Sequence, residues 1–103
     1  MLSKSDFAIN IENSIRDSFA QVDDQYLKLV DSTGTSQQVD RSGSCAIVCM
    51  SVDDNLYFAN VGDSRAILSK SLGEKVFQCT EDHKPAADCE SIRIMSHGGT
   101  IYR

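Results

Sequence analysis

The stretch LYFANVGDSRA, residues 56–66, joins two strand-like runs through a short group of turn residues. Leu56–Val61 is rich in aromatic and aliphatic side chains, which predicts a strand. The Gly-Asp-Ser sequence at residues 62–64 favours a tight connection. Arg65–Lys70 then resumes a strand-like pattern. The stretch therefore predicts two consecutive strands with a short turn between them.

The flanking segments extend this pattern in both directions. Cys45–Met50 is an uninterrupted apolar run of six residues, which predicts a strand buried on both faces. Asp53–Asn55 has the chemistry of a turn, and Ser71–Glu74 has that of a hairpin loop. Lys75–Thr80 completes the set as a fourth strand. Three short connections in a row predict an antiparallel meander over residues 45–80.

A long helix is predicted before the meander. Residues 6–31 place apolar side chains at steps of three and four, which is typical of a helix with one buried face. The residues of this apolar stripe are Phe7, Ile11, Ile15, Phe19, Val22, Tyr26 and Val30. A polar loop over residues 32–44, rich in turn residues, separates the helix from the strands.

A second helix is predicted after the meander, over residues 85–97. Pro85 favours the first position of a helix, and the pair Gly98-Gly99 favours its end. Residues 100–103 then indicate the start of another strand. Two helices and several antiparallel strands predict an α+β fold, with residues 1–103 belonging to one domain.

Composition and charge narrow the function classes. Ten Lys and Arg against fifteen Asp and Glu give a net charge of −5, which argues against nucleic acid as a partner. No apolar segment follows a basic start, and the longest apolar run is six residues, so neither a secretory signal nor a membrane span is predicted. A cytoplasmic or nuclear protein with reduced cysteines is the expectation.

Few side chains suggest chemistry from their spacing alone. Cys45 and Cys49 lie in a predicted strand, where they would be roughly 13 Å apart, so we do not expect them to share a zinc ion. Buried hydrophobic packing is the simpler interpretation of the cysteines. Asp63, at the end of a strand, could offer carboxylate oxygens to Mg²⁺ or Mn²⁺. Aspartate is also common in turns for local hydrogen bonding, so both interpretations of Asp63 stay open.

Five segments of the sequence, in this order and at these spacings, resemble the central block of the PPM-type (type 2C) metal-dependent serine/threonine protein phosphatases. The matching segments are Ser42–Ala46, Leu56–Ala66, Thr80–Pro85, Glu90–Ile94 and Gly98–Ile101. The resemblance implies part of an antiparallel β-sandwich flanked by helices, with about half of the domain present. It also implies phosphorylated proteins as substrates and a site with two Mg²⁺ or Mn²⁺ ions whose bound water attacks the phosphorus.

The resemblance assigns a role to only one metal ligand in this chain. Asp63 matches the family's aspartate for an additional, weaker metal next to the core pair. No catalytic residue and no other cofactor-binding residue is implied, because the family's core metal aspartates match no position here. Gly62 is expected to give backbone freedom to the turn, and His83 to be a capping or loop-bracing histidine rather than a general acid. Cys45 stands where the family usually has threonine.

Two basic residues match the family as well. Arg65 could touch the substrate phosphate, although a structural ion pair is the favoured interpretation. Glu90 and Arg93 are spaced as an i,i+3 pair on the outer side of the second helix, and we expect either a helix-surface pair or a pair that braces the sheet.

Three hypotheses follow for the chain as a whole. The favoured one is a fragment of a larger phosphatase domain, inactive by itself because core metal ligands are missing. The alternative is a non-catalytic, truncated relative that acts as a binding or regulatory module. An unrelated thiol or redox protein is the third and least favoured. For the isolated chain we expect self-association or aggregation through uncovered apolar faces.

Overall fold

A computed structural model describes residues 4–33 and 41–102 of the chain. These residues fall into two compact units, which divide after Gly43. The first unit contains helix α1, Lys4–Thr33. The second contains all of the strands and helix α2, so the described part of the chain is α+β, as predicted.

Helix α1 carries most of the predicted apolar stripe as half-buried side chains. These residues are Ile11, Ile15, Phe19, Tyr26 and Val30. Val22 departs from the prediction, because 66% of its surface is exposed. The side chain of Phe7 lies outside the described residues, as do residues 34–40 of the predicted loop. On the polar face Lys28 pairs with Asp24, four residues earlier.

The strands form two separate antiparallel pairs. Strand β1, Ala46–Val52, pairs with β2, Asn55–Val61, in a register that places Val52 opposite Asn55. Strand β3, Ile67–Lys70, pairs with β4, Lys75–Gln78, and the turn Ser71–Gly73 connects them.

The predicted meander over residues 45–80 is therefore wrong at its centre. Among the described strands β2 does not pair with β3. The physical reason lies in the backbone groups beside the junction. The carbonyl of Gly62 accepts from the amide of His83, and the carbonyl of Ala66 accepts from the amide of Cys79. The segment at residues 79–83 thus takes the hydrogen bonds that a third hairpin would need.

The prediction that Cys45–Met50 forms a strand buried on both faces is also wrong. The strand exists, but all residues from Cys45 to Ser51 are exposed. Among the described side chains no hydrophobic one is buried, and Thr80 is the only buried polar residue, at 8% exposure. A single partner strand covers one edge of β1 and cannot cover its faces. The face-to-face sandwich implied by the resemblance remains a prediction.

Helix α2 spans Asp88–Ser96 and is shorter than predicted. Pro85 does not open it, because the amide of Ala87 donates to the carbonyl of Lys84 and closes a β-turn with proline at its second position. At the other end the glycine stop is confirmed. Gly98 has φ +80°, its amide donates to Met95, and the amide of Gly99 donates to Ile94, which is a Schellman motif.

The strand predicted to start at residue 100 is not formed by residues 100–102, and Arg103 lies outside the described residues. Neither α1 nor α2, as far as the structure describes them, is long and apolar enough to cross a membrane.

Candidate functional site

The turn that follows β2 places Asp63 on the surface of the second unit. Gly62 adopts φ +106°, a conformation that side chains rarely tolerate. A Cβ atom built on Gly62 would lie 2.8 Å from the Cβ of Cys45, closer than real Cβ contacts come. Glycine is therefore required here both by the backbone conformation and by the close approach of Cys45.

Asp63 has one side-chain neighbour of note. The Cys45 thiol donates to Asp63 Oδ1 across 3.5 Å, a distance within reach of a weak sulfur donor. Both residues are exposed. The carboxylate thus faces solvent and accepts one weak hydrogen bond, so its oxygens are accessible to a further ligand.

His83 braces the turn through two hydrogen bonds. Its backbone amide donates to the Gly62 carbonyl at 2.9 Å. The Gly62 amide donates in return to His83 Nδ1 at 3.3 Å. The contact joins residues 21 positions apart, and it matches the loop-bracing role expected for this histidine.

Asn60 joins the same two segments. Its Nδ2 donates to the carbonyl of Gly62 at 3.1 Å and to the carbonyl of Glu81 at 3.0 Å. Its Oδ1 is buried and has no hydrogen-bond partner among the described residues. Two carbonyl acceptors fix the amide orientation, because an Oδ1 in that position would face two other oxygens.

Thr80 secures the far side of the turn. Its hydroxyl accepts from the amide of Ala66 at 2.9 Å, while the carbonyl of Ala66 accepts from Cys79 at 2.9 Å. Because Thr80 is the most buried described residue, this hydrogen bond is partly shielded from water.

Arg65 forms an ion pair rather than facing open solvent alone. Its Nε and Nη2 donate to the two carboxylate oxygens of Asp82 at 2.9 and 2.8 Å, a bidentate geometry. Lys84 approaches the same carboxylate at 3.7 Å. The hydrogen bonds from Arg65 hold the pKa of Asp82 below its ordinary value, against the opposing effect of partial burial. The structure therefore places Arg65 in the structural pair that was favoured for it.

The predicted Glu90–Arg93 pair is present in α2, again in bidentate form, with distances of 3.0 and 2.7 Å. The hydrogen bonds from Arg93 lower the pKa of Glu90. Glu90 is only 14% exposed, so its carboxylate lies closer to the body of the unit than an outer position implies.

Comparison with known proteins identifies the family of the chain. The protein phosphatase 2C family matches residues 2–103. The chain belongs to this family. The resemblance inferred from the five sequence segments is thereby confirmed.

Individual relatives are much longer than this chain. Protein phosphatase 1B of Bos taurus is 39% identical over 92 residues, which are 89% of this chain and 18% of that protein. Protein phosphatase 1A of Bos taurus is 35% identical over 92 residues, or 23% of its length. Probable protein phosphatase 2C 52 of Oryza sativa subsp. japonica is 36% identical over 101 residues, or 19% of its length. The chain thus spans about a fifth of the relatives it matches. No solved structure matches it.

The donor set described for this member of the protein phosphatase 2C family does not by itself fit a Mg²⁺ or Mn²⁺ site. Within residues 4–33 and 41–102, no three His, Cys, Asp or Glu side chains are grouped as metal ligands. Hard divalent ions require about six oxygen ligands, and Asp63 offers a single carboxylate. The four cysteines are free thiols.

Sequence reasoning missed three residues that build this site. The sequence predicts Asn60 and Thr80 as strand residues. It places Asp82 in a segment that resembles the family but gives this aspartate no role. Their polarity beside apolar runs was the available signal, since polar groups that lose contact with water are usually hydrogen-bonded. Spacing could not show that all three would meet around the Gly62 turn.

Proposed function

We propose that residues 2–103 form the central part of a protein phosphatase domain that hydrolyses phosphoserine and phosphothreonine in proteins with Mg²⁺ or Mn²⁺. The match to the protein phosphatase 2C family over nearly the whole chain carries this proposal. The relatives named protein phosphatase 1A and 1B support it. Four free cysteines fit a cytoplasmic or nuclear location, where thiols stay reduced.

Within that domain, Asp63 supplies one carboxylate ligand to a peripheral Mg²⁺ or Mn²⁺. Asp63 is exposed and accepts only a weak hydrogen bond from Cys45, so its carboxylate is accessible to a metal ion. A carboxylate of this kind suits either ion. The remaining ligands would come from parts of a phosphatase domain that the described residues do not supply.

By itself the 103-residue chain is catalytically inactive, because a lone carboxylate cannot hold the ions that the family chemistry needs. We also expect the isolated chain to self-associate. The exposed apolar side chains of its strands support this expectation, which sedimentation velocity can test.

A chimera tests the proposed function directly. Bovine protein phosphatase 1B would carry the matching residues of this chain in place of its own segment, and phosphate release from a phosphothreonine peptide would be measured against Mn²⁺ concentration. We expect Mn²⁺-dependent release by the chimera and none by the 103-residue chain. A folded but inactive chimera would refute the proposed function. Phosphate release by the 103-residue chain alone would refute the proposal that this chain is inactive by itself.

The role of Asp63 is tested in the same chimera by Asp63→Asn, which keeps the shape and removes the charge. We expect the Mn²⁺ concentration for half-maximal activity to rise at least about tenfold, since even outer-shell changes at metal sites cost that much affinity. Asp54→Asn, an exposed aspartate in the β1–β2 turn, is the matched control. An unchanged Mn²⁺ requirement in Asp63→Asn would remove Asp63 from the metal site.

A further inference from the structure

The backbone of Gly62 is held from several sides at once. Its amide donates to His83 Nδ1, and its carbonyl accepts from both the His83 amide and Asn60 Nδ2. These hydrogen bonds converge on the one residue that immediately precedes Asp63. Every polar backbone group of Gly62 is therefore fixed by residues outside the turn itself.

We infer that His83 and Asn60 are positioning residues for Asp63, acting through Gly62. This inference rests on the proposed role of Asp63 as a metal ligand. Glycine at φ +106° has wide conformational freedom, and an unbraced turn would let the next side chain sample many positions. A side chain coordinates a metal ion more tightly when neighbouring groups already hold it in the right position before the ion binds.

The hydrogen-bond chemistry of His83 is specific. The Gly62 amide can only donate, so Nδ1 must be the unprotonated nitrogen of a ring that carries its proton on Nε2. A substitute must therefore offer an acceptor at the position of Nδ1. Asparagine can do so with its Oδ1, whereas alanine cannot.

Asn60 acts by donation alone. Its Nδ2 bridges the carbonyls of Gly62 and Glu81, while its buried Oδ1 stays without a partner in the described part of the chain. Asn60→Asp keeps the shape of the side chain but removes both donors. The bridge would then become a cluster of oxygens that repel one another.

Other contacts would still join the two segments if His83 were changed. The Arg65–Asp82 pair and the Thr80–Ala66 hydrogen bond lie on the other side of the turn and do not involve the imidazole. Loss of the His83 side chain is therefore expected to loosen Gly62 and Asp63 locally, without detaching residues 79–83 from the strands.

Amide hydrogen exchange in the full 103-residue chain tests the local effect, read at single residues by mass spectrometry at low concentration. In His83→Ala we expect the Gly62 amide to exchange about tenfold faster, the effect of one lost hydrogen bond. His83→Asn should restore slow exchange, and amides within the β1–β2 pairing should not change. His97→Ala, which alters the other histidine, is the control. Unchanged Gly62 exchange in His83→Ala would overturn the inference.

The consequence for Asp63 is tested in the phosphatase chimera. His83→Ala should raise the Mn²⁺ concentration for half-maximal activity about fivefold or more, with the rate at saturating Mn²⁺ largely kept and with recovery in His83→Asn. Faster exchange without a changed Mn²⁺ requirement would show that His83 is only structural. An inactive parent chimera would instead refute the proposed function, and the exchange result would still decide whether His83 braces Gly62.

Discussion

Several turns in the second unit contain left-handed backbone, and two of them are stabilised in different ways. In the turn after β2, Gly62 at φ +106° is bound by Asn60 and by His83, which lies 21 positions away. In the turn between β3 and β4, Ser71, Leu72 and Gly73 have φ values of 53°, 54° and 97°. There a backbone hydrogen bond from the Glu74 amide to the Ser71 carbonyl, at 3.1 Å, closes the turn, and Leu72 is fully exposed.

The difference in bracing distinguishes the Gly62 turn, which carries the candidate site, from the β3–β4 turn, which only connects two strands. A left-handed conformation costs free energy at Ser71 and Leu72 and persists there only where the surroundings determine it. Glycine adopts it without that cost but also has many other conformations available, so Gly62 needs contacts that select this one. The pairing of Lys70 with Lys75 is enough to impose a hairpin loop on residues 71–74. The Gly62 turn lies between strands that do not pair with each other, so distant side chains must determine it. Unusual backbone conformations that the surroundings determine are found often at active sites and ligand sites.

Alanine at the two glycines should show the largest contrast. Gly62→Ala combines an unfavourable φ with overlap against Cys45, and we expect the free energy of unfolding to fall by about 3 kcal/mol or more. Gly73→Ala has the backbone cost alone, about 1–2 kcal/mol, because nothing lies within 4 Å of its added Cβ. Urea unfolding of each variant in the phosphatase chimera, followed by circular dichroism, measures both values. Equal losses would show that the Cys45 contact adds nothing.

Thr80→Val should give the next largest effect. Valine fills the same space but cannot accept from the Ala66 amide, which would be left unsatisfied beside the most buried residue described. We expect a loss of about 1–2 kcal/mol. Thr80→Ser, which keeps the hydroxyl, should lose less. Ser69→Ala, an exposed change in β3 near the other turn, should stay within about 0.5 kcal/mol. Wild-type stability in Thr80→Val would mean that the Ala66 amide finds another acceptor.

Local sequence patterns predicted the elements whose hydrogen bonds are local. Helix α1 follows from its three- and four-residue periodicity, the two hairpins from their turn residues, and the end of α2 from Gly98-Gly99. Apolar character alone could not show that Cys45–Met50 is exposed, because burial depends on what covers a strand rather than on its composition.

The candidate site was predicted only in part, for a related reason. Asp63 and Gly62 stand in a recognisable motif, and that motif identified the turn. Asn60, Thr80 and Asp82 hold the turn through hydrogen bonds across 14 to 21 positions. Pairing at such separations depends on the three-dimensional path of the chain, which spacing does not specify. The break between β2 and β3 was missed for the same reason.

The smallest effect on the free energy of unfolding is expected from loss of the Arg65–Asp82 pair. This effect can be recognised because it depends on pH. Because Arg65 lowers the pKa of Asp82 in the folded chain, the pair stabilises the fold above the unfolded-state pKa of about 3.9. That contribution is lost as the pH falls through the lower, folded-state pKa of Asp82. Arg65 is 54% exposed, so solvent screens the pair and keeps its contribution modest.

Asp82→Asn should therefore be less stable than the wild type near neutral pH and approach it in acid. Urea midpoints measured from about pH 7 down to about pH 2 would show the two curves converging. Glu90→Gln is the informative control, because the pKa of Glu90 is lowered chiefly by hydrogen bonds from Arg93 within one helical turn, with the charge of His83 as the smallest contribution. Both variants should converge with the wild type in acid, yet only Asp82→Asn should speed exchange of the His83 and Ala66 amides. Equal exchange in the two variants would mean that the ion pair stabilises the unit in general rather than the turn that carries Asp63.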